Sequence, residues 1–287
     1  MPSNLRAGLR VIGKGMPRAQ RGRVLSHRSA ILFVCACSWL TIFDQTASAA
    51  LVHWDTLTWT PGSLSNSLDV DPNSAGSDVT VTIAAVKTNF TTARGGGPFT
   101  PAITNSLQGG VSPLQKSLEL AANLGTNSKI TITVAFSPLY TQGVNNVTFS
   151  IFDIDVETNK DQISNIYGVA LNGTHVSPTV TFGSSITTTG AGLGLKLTGT
   201  AASSDTGPGS GAGTATISFG ATPITGFAFT WTNTNGAPFY QQIALGDISY
   251  NVVPEVDTGV VACAICVLAA STRRLRCFLP RRPGDRR

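Results

Sequence analysis

The sequence predicts an all-β fold, an antiparallel β-sandwich or jelly roll, between an N-terminal signal peptide and a C-terminal hydrophobic anchor helix. Three observations predict it. Apolar residues between positions 51 and 251 recur at every second place, not with a helical period. β-Branched and aromatic residues fill these runs, and Gly, Pro, Asn and Asp punctuate them. No long helical pattern separates the runs, which argues against an α/β arrangement.

Taken in order, "LVHWDTLTW" (51–59) opens the sheet and "VTVTIAAV" (79–86) follows as a strand. The segment "SPLQKSLELAANLG" (112–125) carries two patterns. Ser112 with Gln115 makes a capping box, Pro113 suits the first helical position and Gly125 a stop, whereas Leu118, Leu120, Ala122 and Leu124 alternate as in a strand. The strand is preferred because its surroundings are β. Further strands are expected at "KITITVAF" (129–136), "NVTFSIFDI" (146–154), "QISNIYGVAL" (162–171), "TVTFG" (179–183) and "LGLKLTGT" (193–200). "TATISFG" (214–220), "GFAFTWTN" (226–233) and "QIALGDISY" (242–250) complete the series. Two stretches, 91–102 and 201–213, are too rich in Gly to hold ladder structure and read as loops.

Charge divides the chain into three domains, 1–49, 50–251 and 252–287. Residues 1–49 hold seven Lys/Arg against Asp44, and residues 252–287 hold seven Arg against Glu255, Asp257 and Asp285. Residues 50–251 hold six Lys/Arg against eleven Asp/Glu, a net of −5, so the basic balance belongs to the ends. An acidic centre disfavours nucleic acid as a partner, because phosphate contacts need clustered cations. The central 50–251 stretch also lacks Cys, so its stability must come from an ordinary apolar core.

The first domain reads as a signal peptide with a long basic leader. Arg18, Arg21, Arg23 and Arg28 precede the apolar run Ala30–Phe43, and Ala47-Ser48-Ala49 supplies the small residues of a cleavage site after Ala49. Signal peptidase is the partner this implies.

Within 50–251, "FDIDVETNKDQIS" carries Asp153, Asp155, Glu157, Asn159 and Asp161, an oxygen ligand at every second residue. In extended chain these share a face, and in a curled loop they can converge on a hard cation. Thr158 stands where the turn of an EF-hand needs Gly, and Ser164 where its bidentate Glu belongs, so this is not an EF-hand. Two readings stay open: a Ca²⁺ site on a β-sandwich loop, or a solvated acidic hairpin with its carboxylates on turn amides. No motif requires a cofactor, and Ca²⁺ is the one ion the pattern could hold. Asp69, Asp71, Asn73 and Asp78 form a weaker version that reads as an Asx-rich turn, and Asp247 is expected at a sheet rim beside either loop.

Phe227, Phe229 and Trp231 alternate onto one strand face, either as a platform stacking on sugar rings or as core filling. For catalysis there is little material. The centre has His53 and His175, no Cys and no G-x-S-x-G, and although a glycosidase needs only two carboxylates, no pair stands apart for one. A protein that is not an enzyme is expected, with no catalytic residues.

The last domain resembles the sorting signal of PEP-CTERM proteins, the bacterial substrates of exosortases. The matching residues are Val253-Pro254-Glu255, an apolar segment at about 258–272, and the cluster Arg273, Arg274 and Arg276. Val256 replaces the usual second Pro, and the apolar run Gly259–Ala270 is short for a membrane span. "NVTFSIFDID" and "FYQQIALGDISYNVVPE" also resemble the β-rich domains that precede such signals. The resemblance implies export, a transient inner-membrane anchor with its arginines cytoplasmic, processing by an exosortase-type enzyme at the Pro-Glu motif, and residence at the cell surface or in an exopolysaccharide matrix. The expected function is a structural or adhesive surface protein without catalytic activity; the alternative is a carbohydrate-binding module, with or without Ca²⁺.

Overall fold

A computed structural model describes residues 49–70, 76–203, 210–235 and 238–255. Their regular secondary structure is β apart from two single 3-10 turns at 192–194 and 211–213. No helix among them is long and apolar enough to cross a membrane. The candidate anchor segment at 258–272, Arg273, Arg274, Arg276 and Ala47 lie outside the described residues.

The strands run β1 (Ala49–Val52), β2 (Ser65–Leu68), β3 (Val79–Phe90), β4 (Ala102–Thr104), β5 (Ser117–Phe136), β6 (Val144–Phe152) and β7 (Asp161–Ala170). They continue as β8 (His175–Val176), β9 (Thr179–Phe182), β10 (Ile186–Thr189), β11 (Lys196–Gly199), β12 (Ala215–Ser218), β13 (Ile224–Asn233) and β14 (Phe239–Val252). The main hydrogen-bonded path is β10-β11-β7-β13-β5-β14-β6-β12-β9, and its pairings are antiparallel.

β5 is the pivot of this path. Its first part, Leu118–Leu124, pairs with β14, and its second, Lys129–Ala135, pairs with β13. β3 accompanies both parts on the other side. The change of neighbour falls at "GTNS" (125–128), where Asn127 takes a φ of 62° and, across on β3, Lys87 takes 50°. Asn tolerates the left-handed region better than most residues. Ser128 Oγ donates to the Lys87 carbonyl and accepts from Gly125 N, which closes the bulge. The ambiguous 112–125 segment is therefore strand from Ser117 onward, continuous with 129–136.

The core is carried by alternation on the central strands. Phe149 of β6 stacks on Phe227 of β13, with ring centroids 4.2 Å apart and planes at 11°. These two strands share only the Ile224↔Val144 backbone pair, so their rings meet mainly through side chains. Phe136 meets Phe227 at 6.3 Å and Tyr250 at 4.8 Å, extending the cluster to β14. Burying each such ring contributes about 1.5–3 kcal/mol. Phe227, Phe229 and Trp231 are at most 1% exposed, so the aromatic row is core and cannot stack on a sugar. β13 lies between β5 and β7 in the sheet, and its aromatic face is covered by Phe149, Phe136 and Phe219 packing on Phe227 and Phe229.

The opening strand is shorter than its sequence suggests. β1 ends at Val52, because Asp247 captures the next residues: its Oδ1 accepts from Trp54 N (3.0 Å) and its Oδ2 meets His53 Nδ1 (2.7 Å). Asp247 sits where β14 changes register between Leu245 and Ile248. Asp78 accepts from Val70 N (2.9 Å) and from the Tyr140 hydroxyl (2.7 Å), while Asp71 and Asn73 of the expected Asx-rich turn lie outside the described residues.

Candidate functional site

The acidic run occupies the connection between β6 and β7, a short hairpin marked by a Val156↔Lys160 bridge. Asp153 enters it with φ at 65°, and Asp161 N donates to the Asp155 carbonyl (3.0 Å) to close it. The curl turns alternate side chains inward. Asp153, Asp155, Asn159 and Asp161 are all at most 7% exposed, while Glu157 is exposed at the rim. The reading of this run as a solvated acidic loop is therefore corrected for four of its five residues. Burial on that scale requires partners for each polar atom.

Those partners come from three other parts of the chain. Asp161 Oδ1 accepts from Trp231 Nε1 and from Gln241 Nε2, each at 2.8 Å. Asp153 Oδ2 accepts from Gln242 Nε2 at 2.9 Å, and Gln242 Oε1 in turn accepts from the Tyr240 hydroxyl at 2.8 Å. Asp155 Oδ2 accepts from Ser203 N at 2.9 Å. Gly199, the last residue of β11, passes so close that a Cβ there would overlap the Asp155 carbonyl. Only glycine lets the two backbones meet.

The electrostatics follow from the packing. Asp161 is held well above the usual carboxylate range by burial; the Trp231 hydrogen bond offsets part of this, and the carboxylates of Asp155 and Asp153 push it further up. Tyr240 is pushed up to about 12 by burial and by the Glu119 carboxylate, so it stays a neutral donor. The side chains enclose a cavity of about 100 Å³, with Arg94, Phe239 and Tyr240 at its mouth. Among the described residues no three His, Cys, Asp or Glu side chains converge tightly enough to hold a metal by themselves.

Sequence reasoning missed Gln241 and Gln242. Their signal was two adjacent amides inside the apolar strand "FYQQIALGD", since a buried amide demands a polar partner.

The remaining candidates lie elsewhere. His53 is bracketed by carboxylates, with Nδ1 on Asp247 and Nε2 3.6 Å from Asp55 Oδ2; Asp247, expected at a sheet rim beside either acidic loop, bonds His53 and Trp54. His175 stacks on Tyr167 at 3.9 Å. That pair borders an open hollow of about 340 Å³ on the β7–β13–β5 surface, with Lys129, Asn165 and Thr230. Of the sorting motif, Val253 N donates to the Gly143 carbonyl (3.2 Å) and Glu255 Oε1 accepts from Thr141 Oγ1 (2.6 Å). Ala49, the residue before the expected cleavage point, is the first residue of β1, opposite Asn251.

No family model matches the chain, and no curated protein matches it. Among solved structures it is similar to a family 11 carbohydrate-binding module of a cellulosomal cellulase of Clostridium thermocellum. The match has 10% identity over 69% of this chain and 99% of that one, with a TM-score of 0.25. A likeness at that level carries no argument about fold or ligand.

Proposed function

We propose that this is an exported, non-enzymatic surface or matrix protein built on a β-sandwich, delivered by its two terminal segments and serving a structural or adhesive role. The observation that carries it is where the fold takes in and releases the chain. Ala49 pairs with Asn251, so the segment read as a signal peptide and the segment read as a sorting signal join the fold side by side. The acidic pocket lies at the other end of the same strand, at Gln241 and Gln242. Ten residues of strand separate Gln241 from Asn251, about 30 Å at ordinary strand rise. A domain tethered through Glu255 would hold the pocket away from the membrane. The sandwich reading is supported by the change of partner along β5 and by the Phe149–Phe227 stack between two strands that hardly pair. The non-catalytic reading is supported by His53, both of whose ring nitrogens face carboxylates and so point at no nucleophile.

The test is fractionation of a bacterium that carries an exosortase-type enzyme and expresses the full chain. The wild type is expected in surface or medium fractions with a mass loss at the Pro-Glu motif. A variant with Val253, Pro254 and Glu255 all changed to Ala should stay in the inner membrane. Equal distribution and equal mass of the two would sink the reading.

A second reading, carbohydrate binding, is favoured by the hollow around Tyr167, where a ring and several hydrogen-bonding side chains share an open sheet surface. A glycan array on the full chain tests it. Binding lost in Tyr167→Ala supports it, and no glycan retained by the wild type removes it.

A further inference from the structure

We infer that the pocket between the β6–β7 hairpin and the start of β14 is a site for a hard divalent cation of calcium size. Asp153 and Asp155 would supply carboxylate oxygens, and Asn159 and Gln241 amide oxygens, with Asp161 beside them held by Trp231 and Gln241.

Two independent observations carry this. The first is the gathering of three carboxylates and an amide from one nine-residue hairpin, all buried, on one cavity of about 100 Å³. Buried like charges that share a cavity repel, and the usual remedies are protonation or a bound cation. The second is Gln241. It is 6% exposed and lines the cavity, and its Oε1 has no hydrogen-bond partner. Its Nε2 is committed to Asp161 Oδ1, so turning the amide over would sacrifice that bond. At Gln241 the unpaired atom is thus an oxygen, a group that accepts a donor or ligates a cation. Asn159 adds a second amide, 4% exposed, whose Nδ2 is also unpartnered. Amide ends are near-isosteric, so a half-turn of that group presents its oxygen at the same place.

The chemistry selects the ion. All the available ligands are oxygens, which excludes a preference for soft or imidazole-seeking metals. Because no acid trio converges by itself, the shell must mix carboxylates with amides and water. Calcium accepts six to eight such oxygens at about 2.3–2.6 Å in irregular geometry, whereas magnesium demands a tight octahedron. A cavity of this size also leaves room for one or two waters. The bound ion would tie the hairpin to β14, and through the Asp161–Trp231 bond to β13.

The test uses Tb³⁺ as a luminescent stand-in for Ca²⁺ on the full chain, with excitation of tryptophan. Trp231 Nε1 bonds Asp161, so a bound Tb³⁺ lies next to its sensitiser. The expected result is sensitised emission that Ca²⁺ displaces, together with a Tm about 3–6 °C higher when Ca²⁺ stands tenfold above its dissociation constant than in EDTA. Asp155→Asn and Gln241→Leu should each weaken Tb³⁺ binding about tenfold or more, a loss of roughly 1.4 kcal/mol. Trp231→Phe should lose the emission but keep the Ca²⁺-dependent Tm. A folded wild type, checked by circular dichroism, that gives no sensitised emission and the same Tm in ~1 mM Ca²⁺ as in EDTA would overturn the inference. Equal Tb³⁺ affinity in wild type, Asp155→Asn and Gln241→Leu would overturn it as well.

Discussion

The aromatic row of β13 and the acidic row of the β6–β7 hairpin are written in the same code, one distinctive side chain at every second residue. Both are buried apart from Glu157, and the bond from Trp231 Nε1 to Asp161 Oδ1 links them. Their difference lies in what surrounds them. Phe227 and Phe229 meet other rings and need only contact, so neighbouring strands from any direction suffice. Asp153, Asp155 and Asp161 need donors at set places, and receive them from Gln242, Ser203, Trp231 and Gln241. Alternation therefore tells which side chains share a face. It does not tell whether that face meets solvent, core or a polar pocket.

Four substitutions break or sharpen the contrast. Phe227→Ala removes the ring stacked on Phe149 and leaves a cavity, and should cost about 3–5 kcal/mol in urea unfolding. A loss under about 1 kcal/mol would mean that the row is not the core. Trp231→Phe keeps a ring but removes one of the two donors to Asp161 Oδ1, and should cost about 1.5–3 kcal/mol. Stability equal to wild type would show that the bond joining the two rows contributes nothing. Gly199→Ala forces the β11 backbone off the Asp155 carbonyl, and should cost about 1–3 kcal/mol. Amide exchange should then quicken across 153–161 before it does in β13; uniform exchange across both would contradict a local effect. Glu157→Gln changes the one exposed member of the acidic row and should stay within about 0.5 kcal/mol of wild type. A larger loss would place Glu157 inside the pocket with its neighbours.

Much of the fold was legible. Strands at 79–86, 129–136, 179–183 and 226–233 follow from β-branched alternation bounded by Gly, Pro and Asn, which is a local signal. What escaped were effects of distant neighbours. "GTNS" at 125–128 reads as a terminator, yet cross-strand bonds to Lys87 keep β5 going as one strand. "LVHWDTLTW" reads as a long opening element, yet Asp247, nearly two hundred residues away in sequence, ends β1 at Val52. At the candidate site the acids announced themselves by spacing. Gln241 and Gln242 did not, because their role depends on where β14 begins relative to the hairpin, and no local pattern encodes that.

The pairing of Ala49 with Asn251 has one more consequence. Antiparallel partners have Cα atoms only about 5 Å apart, roughly the gap between the two stems of a surface loop. Residues 49–255 can thus serve as a guest spliced into a loop of an unrelated host, with little closure entropy to oppose it. The pocket would then project from the host on a rigid strand, a ready-made way to display this fold on any carrier.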